Sequence, residues 1–134
     1  MTPQTTSLPS VLVVEDEILI RIDVVDMIED AGFRTYEADS ADVAMSLMKQ
    51  HSDIGILFTD VEMPGSMNGL DLAARVKDEW PLVTVIIASG KVGIEKSEMP
   101  DGATFLAKPY ASSLVCKTLH DVSHPSGGGT EAAP

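Results

Sequence analysis

Three short runs constrain the fold more than anything else in the chain: Val11-Leu-Val-Val14, Ile54 to Thr59 and Val83 to Ala88. Each is rich in β-branched residues and almost free of polar interruption. A strand with one wet face would alternate apolar and polar residues. Strands that stay apolar throughout are buried on both faces, as in a parallel sheet. Two weaker runs, Thr35 to Ala38 and Thr104 to Ala107, read as further strands.

Between these runs the apolar residues recur at helical spacing. Glu17 to Ala31 places Ile18, Ile22, Val25 and Ile28 on one side, with Gly32 as the stop. Ser40 is suited to cap a helix reaching about Gln50, with Val43, Leu47 and Met48 inward. Asn68 or Gly69 opens a third helix to Trp80, offering Leu70, Ala73, Ala74 and Val76 for packing, and Pro81 ends it. Ser112 or Ser113 opens a last helix with Leu114, Val115 and Leu119 inward. The stretch Lys91 to Gly102 gives a short helix around Glu95 to Glu98, or no regular helix. Alternating strands and helices predict an α/β fold: a doubly wound, five-stranded parallel sheet with helices on both faces.

The chain has 134 residues and 44% hydrophobic side chains, enough for the core of one domain. Residues 1–10 and 123–134 read as disordered tails, and 11–122 as the folded part. The net charge of −12 argues against nucleic acid, whose phosphates demand a basic surface. It favours a bound cation or a basic protein partner. No apolar stretch is long enough to span a bilayer, and Met1 to Ser10 lacks the pattern of a signal peptide. With the single cysteine, Cys116, this points to a soluble protein of the cytoplasm. His51, His120 and His124 are scattered and read as surface or tail residues.

In such a sheet, ligands bind at the carboxyl ends of the strands, where strand order reverses. Those ends carry Glu15, Asp16 and Glu17 after strand one, Asp60 after strand three, Ser89 after strand four, and Lys108 after strand five. Clustered carboxylates suit a hard cation such as magnesium, which takes oxygen ligands. A metal and an ammonium beside a carboxylate suit phosphoryl transfer onto that carboxylate. The bland alternatives are a turn residue for Asp60 or Ser89, a surface lysine for Lys108, and a helix-start acid for Glu17.

Four motifs in order, Val13-Val14-Glu15-Asp16-Glu17, Phe58-Thr59-Asp60-Val61-Glu62-Met63-Pro64, Ala88-Ser89-Gly90 and Lys108-Pro109-Tyr110, resemble the receiver domains of bacterial two-component response regulators. The resemblance covers Val11 to Val122 and implies a flavodoxin-like receiver fold. It implies that Asp60 accepts a phosphoryl group from the phosphohistidine of a sensor histidine kinase, with Mg2+ as cofactor. Glu15, Asp16, Asp60 and the backbone carbonyl of Glu62 would hold the metal. Lys108 and Ser89 would contact the phosphoryl group, and Ser89 with Phe105 would form the switch. The Lys108-Pro109 bond is expected to be cis, as in many family members.

The sequence departs from the family in three places. Glu15 replaces the usual aspartate, so its reach to the metal is expected through water. The loop Met63 to Gly69 carries one residue more than the common pattern. The span from Ser89 to Lys108 is short, so the fourth helix of the family pattern is expected to be short or irregular. The resemblance implies a stand-alone signalling switch, not an enzyme with external turnover. Its output would be protein–protein contact, as monomer or homodimer, or relay to a histidine phosphotransfer protein. Two other readings stay open: a magnesium-dependent phosphatase with an aspartyl nucleophile, and an interaction module that no longer uses its phosphorylation chemistry.

Overall fold

The apolar runs pair into one sheet in the computed structural model, which describes residues 8–63, 67–90, 99–100 and 102–123. In chain order the elements are β1 (Ser10–Val14), α1 (Ile18–Asp30), β2 (Thr35–Ala38), α2 (Ala41–Gln50), β3 (Ile54–Asp60), α3 (Gly69–Glu79), β4 (Thr84–Ser89), β5 (Thr104–Ala107) and α4 (Ser112–Ser123). All four strand pairings are parallel, and the order across the sheet is β2-β1-β3-β4-β5. Order reverses between β1 and β3, which opens a crevice at their carboxyl ends.

Strand alternation sorts the core into two layers. Leu12, Val14, Leu57, Val85 and Ile87 face one side and pack with α2 and α3 residues such as Ala44, Met48, Leu72 and Val76. Val11, Val13, Ile56, Phe58, Ile86, Ala88 and Leu106 face the other side and pack with Val24, Ile28, Val115 and Leu119 of α1 and α4. The central strands are therefore buried on both faces, which is why their sequences show no alternation. The described fold reaches further than the sequence pattern suggests: Ser10 already belongs to β1, Leu8 packs against the core, and α4 extends to Ser123.

Helix boundaries follow local chemistry. The Ser40 side chain accepts from the Val43 N–H at 3.2 Å. Asn68 and Asp71 form a reciprocal capping box, at 2.9 and 3.2 Å. Gly32 takes a φ of 98° just past α1, a conformation that suits glycine.

The inward faces are turned relative to the sequence expectation. In α1, Val24 and Ile28 are buried, while Ile18 and Ile22 are 59% and 55% exposed, with Leu19 beside them at 79%. In α2, Ala41, Ala44, Met45 and Met48 are buried and Val43 lies outside. In α3, Leu72 takes the buried place expected of Ala74, which is exposed. In α4, Leu114 is exposed. The reason is common to all four. A helix with apolar residues around much of its circumference has more than one plausible inward face, and the crossing onto the sheet selects one. Two histidines are also less loose than expected. His51 stacks on Tyr36 at 4.2 Å, and His120 packs at 5.2 Å from Phe33 with Nε2 3.2 Å from the Ala31 carbonyl.

The expectations for a short fourth helix at Glu95 to Glu98, for the turn at Pro64 to Ser66 and for the C-terminal tail from His124 lie outside the described residues. Among the described residues, no helix is long and apolar enough to cross a membrane.

Candidate functional site

The site forms because three strand ends point the same way. By alternation, Glu15 continues the face of Val11 and Val13, Asp60 that of Ile56 and Phe58, and Lys108 that of Leu106. All three emerge on the α1 and α4 side of the sheet. Lys108 Nζ lies 3.2 Å from Asp60 Oδ1 and 3.3 Å from Glu15 Oε1, bridging the two acids. Asp16 is exposed beside them. One carboxylate oxygen from each of Glu15, Asp16 and Asp60 lies within 4.8 Å of the others. That donor set is all oxygen and anionic, and so fits a hard divalent cation.

Burial sharpens the electrostatics. Glu15 is 3% exposed and Asp60 8%. Burial pushes the Glu15 carboxyl above its ordinary range; the Glu17 N–H and Lys108 pull it back, the Asp60 charge adds to the rise, and the net is upward. Burial works against the Lys108 charge, but Asp60 and Glu15 outweigh it and hold the ammonium above the usual lysine range. Tyr110 is pushed up to about 12, first by burial and then by the charges of Glu15, Asp60 and Asp23. It meets Phe58 edge-on at 6.0 Å. A groove of about 480 Å³ runs beside the site, between Ile20, Asp23 and Met27 of α1 and the Lys108-Pro109-Tyr110 segment. The Lys108-Pro109 bond is cis.

Ser89 is 1% exposed at the end of β4, and its carbonyl accepts from the Lys108 N–H at 3.0 Å. Ser89 is in register with Ala107, which puts Phe105 on the same face two residues back along β5. Phe105 is 37% exposed. Glu62 is exposed, two residues beyond Asp60. The fold thus brings Glu15, Asp16, Asp60 and Lys108 into one cluster and sets Ser89 at the neighbouring strand end.

Two contributors escape the sequence reasoning. Arg21 donates to the Glu15 backbone carbonyl at 2.8 Å and pairs with Glu37 at 3.1 Å, which ties the β1–α1 turn to β2. A signal for it exists: Arg21 is the one basic residue in an otherwise acidic and apolar helix. Gly69 donates to the Val61 carbonyl at 2.8 Å and lies so close to β3 that a β-carbon there would fall onto the Asp60 carbonyl. Nothing local in the sequence says that α3 backs into Asp60.

Comparison with known proteins identifies the family that shares this fold. The profile of the family described as "Response regulator receiver domain" matches residues 11–120. The Campylobacter jejuni chemotaxis protein CheY homolog is 27% identical over 128 residues, covering 91% of this chain and 97% of that protein. The Mycobacterium tuberculosis transcriptional regulatory protein PdtaR is 29% identical over 106 residues, covering 77% of this chain; the chain spans about half, 51%, of PdtaR's length. Among solved structures, the receiver domain of NtrX from Brucella abortus superposes with a TM-score of 0.77 at 30% identity, over 84% of this chain and 97% of that one. A receiver domain protein from Clostridium thermocellum shares the fold, with a TM-score of 0.81 at 23% identity, over 90% of this chain and 98% of that one. The chain belongs to the response regulator receiver domain family, the signalling switches of two-component systems.

Proposed function

We propose that Asp60 is a magnesium-dependent phosphoryl acceptor and that residues 11–122 act as the switch it controls. The observation that carries this reading is the Glu15, Asp16 and Asp60 oxygen cluster with Lys108 bridging Asp60 and Glu15. The donor of the phosphoryl group is the phosphohistidine of a sensor histidine kinase. A carboxylate oxygen of Asp60 attacks phosphorus, an O–P bond forms and the P–N bond breaks. The electron pair passes to the imidazole nitrogen, which takes up a proton. Asp16, Asp60, Glu15 and the Glu62 carbonyl are the residues suited to hold Mg2+, which supplies Lewis-acid stabilisation of the phosphoryl charge when bound. In this reading Lys108 pairs with a phosphoryl oxygen and Ser89 hydrogen-bonds another, and Phe105, on the same face of the sheet as Ser89, follows the Ser89 movement. The added charge, close to two units, biases the domain toward its signalling form.

The output is contact with a protein target, or relay to a histidine phosphotransfer protein, in the cytoplasm. The exposed Ile18, Leu19 and Ile22 sit just beyond the acidic rim and offer the kinase an apolar face.

The test is intact mass after incubation with acetyl phosphate and magnesium. A phosphoryl adduct on the wild type, lost in Asp60→Asn and without magnesium, is the expected result. An adduct that survives Asp60→Asn would sink the assignment. Leu19→Asp is expected to slow transfer from the kinase and leave acetyl phosphate labelling intact; equal loss of both would remove the docking role.

A further inference from the structure

Strand β3 carries no polar side chain before Thr59, and Thr59 is fully buried. By alternation it lies on the Leu57 face, toward α2 and α3, while Asp60 emerges on the other face, toward Lys108. A hydroxyl inside an apolar layer needs an acceptor. The Thr59 hydroxyl donates to the backbone carbonyl of Asp60 at 2.9 Å.

That carbonyl stands where the strand loses a neighbour. The pairing of β1 with β3 ends at Val14 and Thr59, one residue short of Asp60. Gly69, at the start of α3, sits against the same carbonyl, so closely that a β-carbon would overlap it. At the other end of the same peptide, the Val61 N–H donates to the Ala88 carbonyl at 3.2 Å. The peptide joining Asp60 to Val61 is therefore held at its oxygen and at its nitrogen. A peptide is planar, so holding both polar groups fixes the plane. The backbone from which the Asp60 side chain departs is fixed with it.

We infer that Thr59 is a positioning residue for Asp60: from the opposite face of the sheet, its hydroxyl fixes the peptide that follows the acceptor, and so the direction in which the acceptor carboxylate leaves the strand. This rests on the phosphoacceptor reading above and adds to it a residue whose side chain lies outside the charged cluster. Attack on phosphorus tolerates little displacement of the nucleophile; an error of about 1 Å costs on the order of a hundredfold in rate. A threonine that only filled space and satisfied its own hydroxyl would affect stability alone.

Two variants separate these roles. Thr59→Val keeps the shape and removes the donor; Thr59→Ser keeps the donor and removes a buried methyl. Denaturant unfolding is expected to rank Thr59→Ser below Thr59→Val. Acetyl phosphate labelling at saturating magnesium, followed by intact mass, is expected to rank them the other way. Thr59→Ser should label within about twofold of wild type, and Thr59→Val about tenfold more slowly. The Asp60 carboxyl 13C resonance of the metal-free protein, assigned with Asp60→Asn, reads the placement without the chemistry. It is expected to move in Thr59→Val and to hold in Thr59→Ser. Labelling of Thr59→Val at the wild-type rate, or labelling that falls in step with stability, overturns the inference. So does a carboxyl resonance that stays in place in Thr59→Val. A wild type that takes no label overturns the phosphoacceptor reading, and the carboxyl resonance then still decides the task of Thr59.

Discussion

Asp53 and Glu15 stand at opposite ends of the same small sheet, and the fold treats them in opposite ways. Asp53 lies at the amino ends of the strands. It accepts from the Ser10 hydroxyl at 2.6 Å and from the Tyr36 hydroxyl at 2.9 Å. The Ser10 bond holds its carboxyl below the ordinary range; burial opposes this, and the Tyr36 bond adds to the lowering. Glu15, at the carboxyl ends, is pushed up by burial and by Asp60. Neutral donors around one charge make a stable joint. Like charges gathered around one lysine make a site that is stabilised further when a cation enters. The amino end holds β1 to β3, and the carboxyl end gathers the charges on which the proposed chemistry rests.

The comparison can be broken most sharply with glycine. Gly69→Ala at the carboxyl end drives a β-carbon onto backbone, which has nowhere to go. We expect a loss of about 3 kcal/mol in denaturant unfolding. At the amino end, Gly55→Ala meets the Pro9 ring at 2.6 Å, a side chain rather than backbone, one residue before β1. A loss of about 1 kcal/mol is expected there. Equal losses would mean that the two ends are equally rigid.

Magnesium gives the next largest effect. At a hundredfold excess over its dissociation constant it is expected to stabilise the protein by about 2.7 kcal/mol, reversed by chelator. Asp16→Asn should remove that gain, and Ser10→Ala should leave it whole. Thermal melts with and without metal check both, and a metal gain that survives Asp16→Asn would place the ion elsewhere.

The smallest effects are the most direct. Ser10→Ala removes one donor from Asp53 and is expected to cost about 1 kcal/mol at neutral pH. The folded Asp53 pKa is depressed, so its contribution is present above the unfolded value and fades as pH falls through the folded one. In Ser10→Ala that acid limb should shrink. Glu15 has the opposite sign. Its folded pKa is raised, so its carboxyl favours the fold most below the unfolded value, and that advantage is lost as pH rises through the folded one. Glu15→Gln is therefore expected to leave metal-free stability at neutral pH equal to wild type or higher. A clear loss would show Glu15 to be a structural anchor like Asp53.

Elements that depend on neighbours in sequence are legible from the residues alone. Thr104 to Ala107 and Thr35 to Ala38 form strands within the expected bounds, and Ser40 and Asn68 cap their helices. Ile18, Ile22, Val43 and Leu114 face outward against expectation, because helical spacing alone does not choose among overlapping apolar faces. Arg21 and Gly69 are illegible for a different reason. Their roles exist only across elements: one joins α1 to β2, the other sets α3 against the end of β3.

The sequence by itself determined the parallel α/β sheet, since strands apolar on both faces have no other place to be buried. It also determined which carboxylates and which lysine crowd the rim, because strand ends in such a sheet converge. Only the tertiary structure decided how those charges pair. Whether the Glu15 carboxylate turns to Lys108 or to open solvent depends on distances of a few ångströms between residues 93 positions apart. Packing of α1 and β5 on the same sheet sets those distances, and no local pattern encodes them.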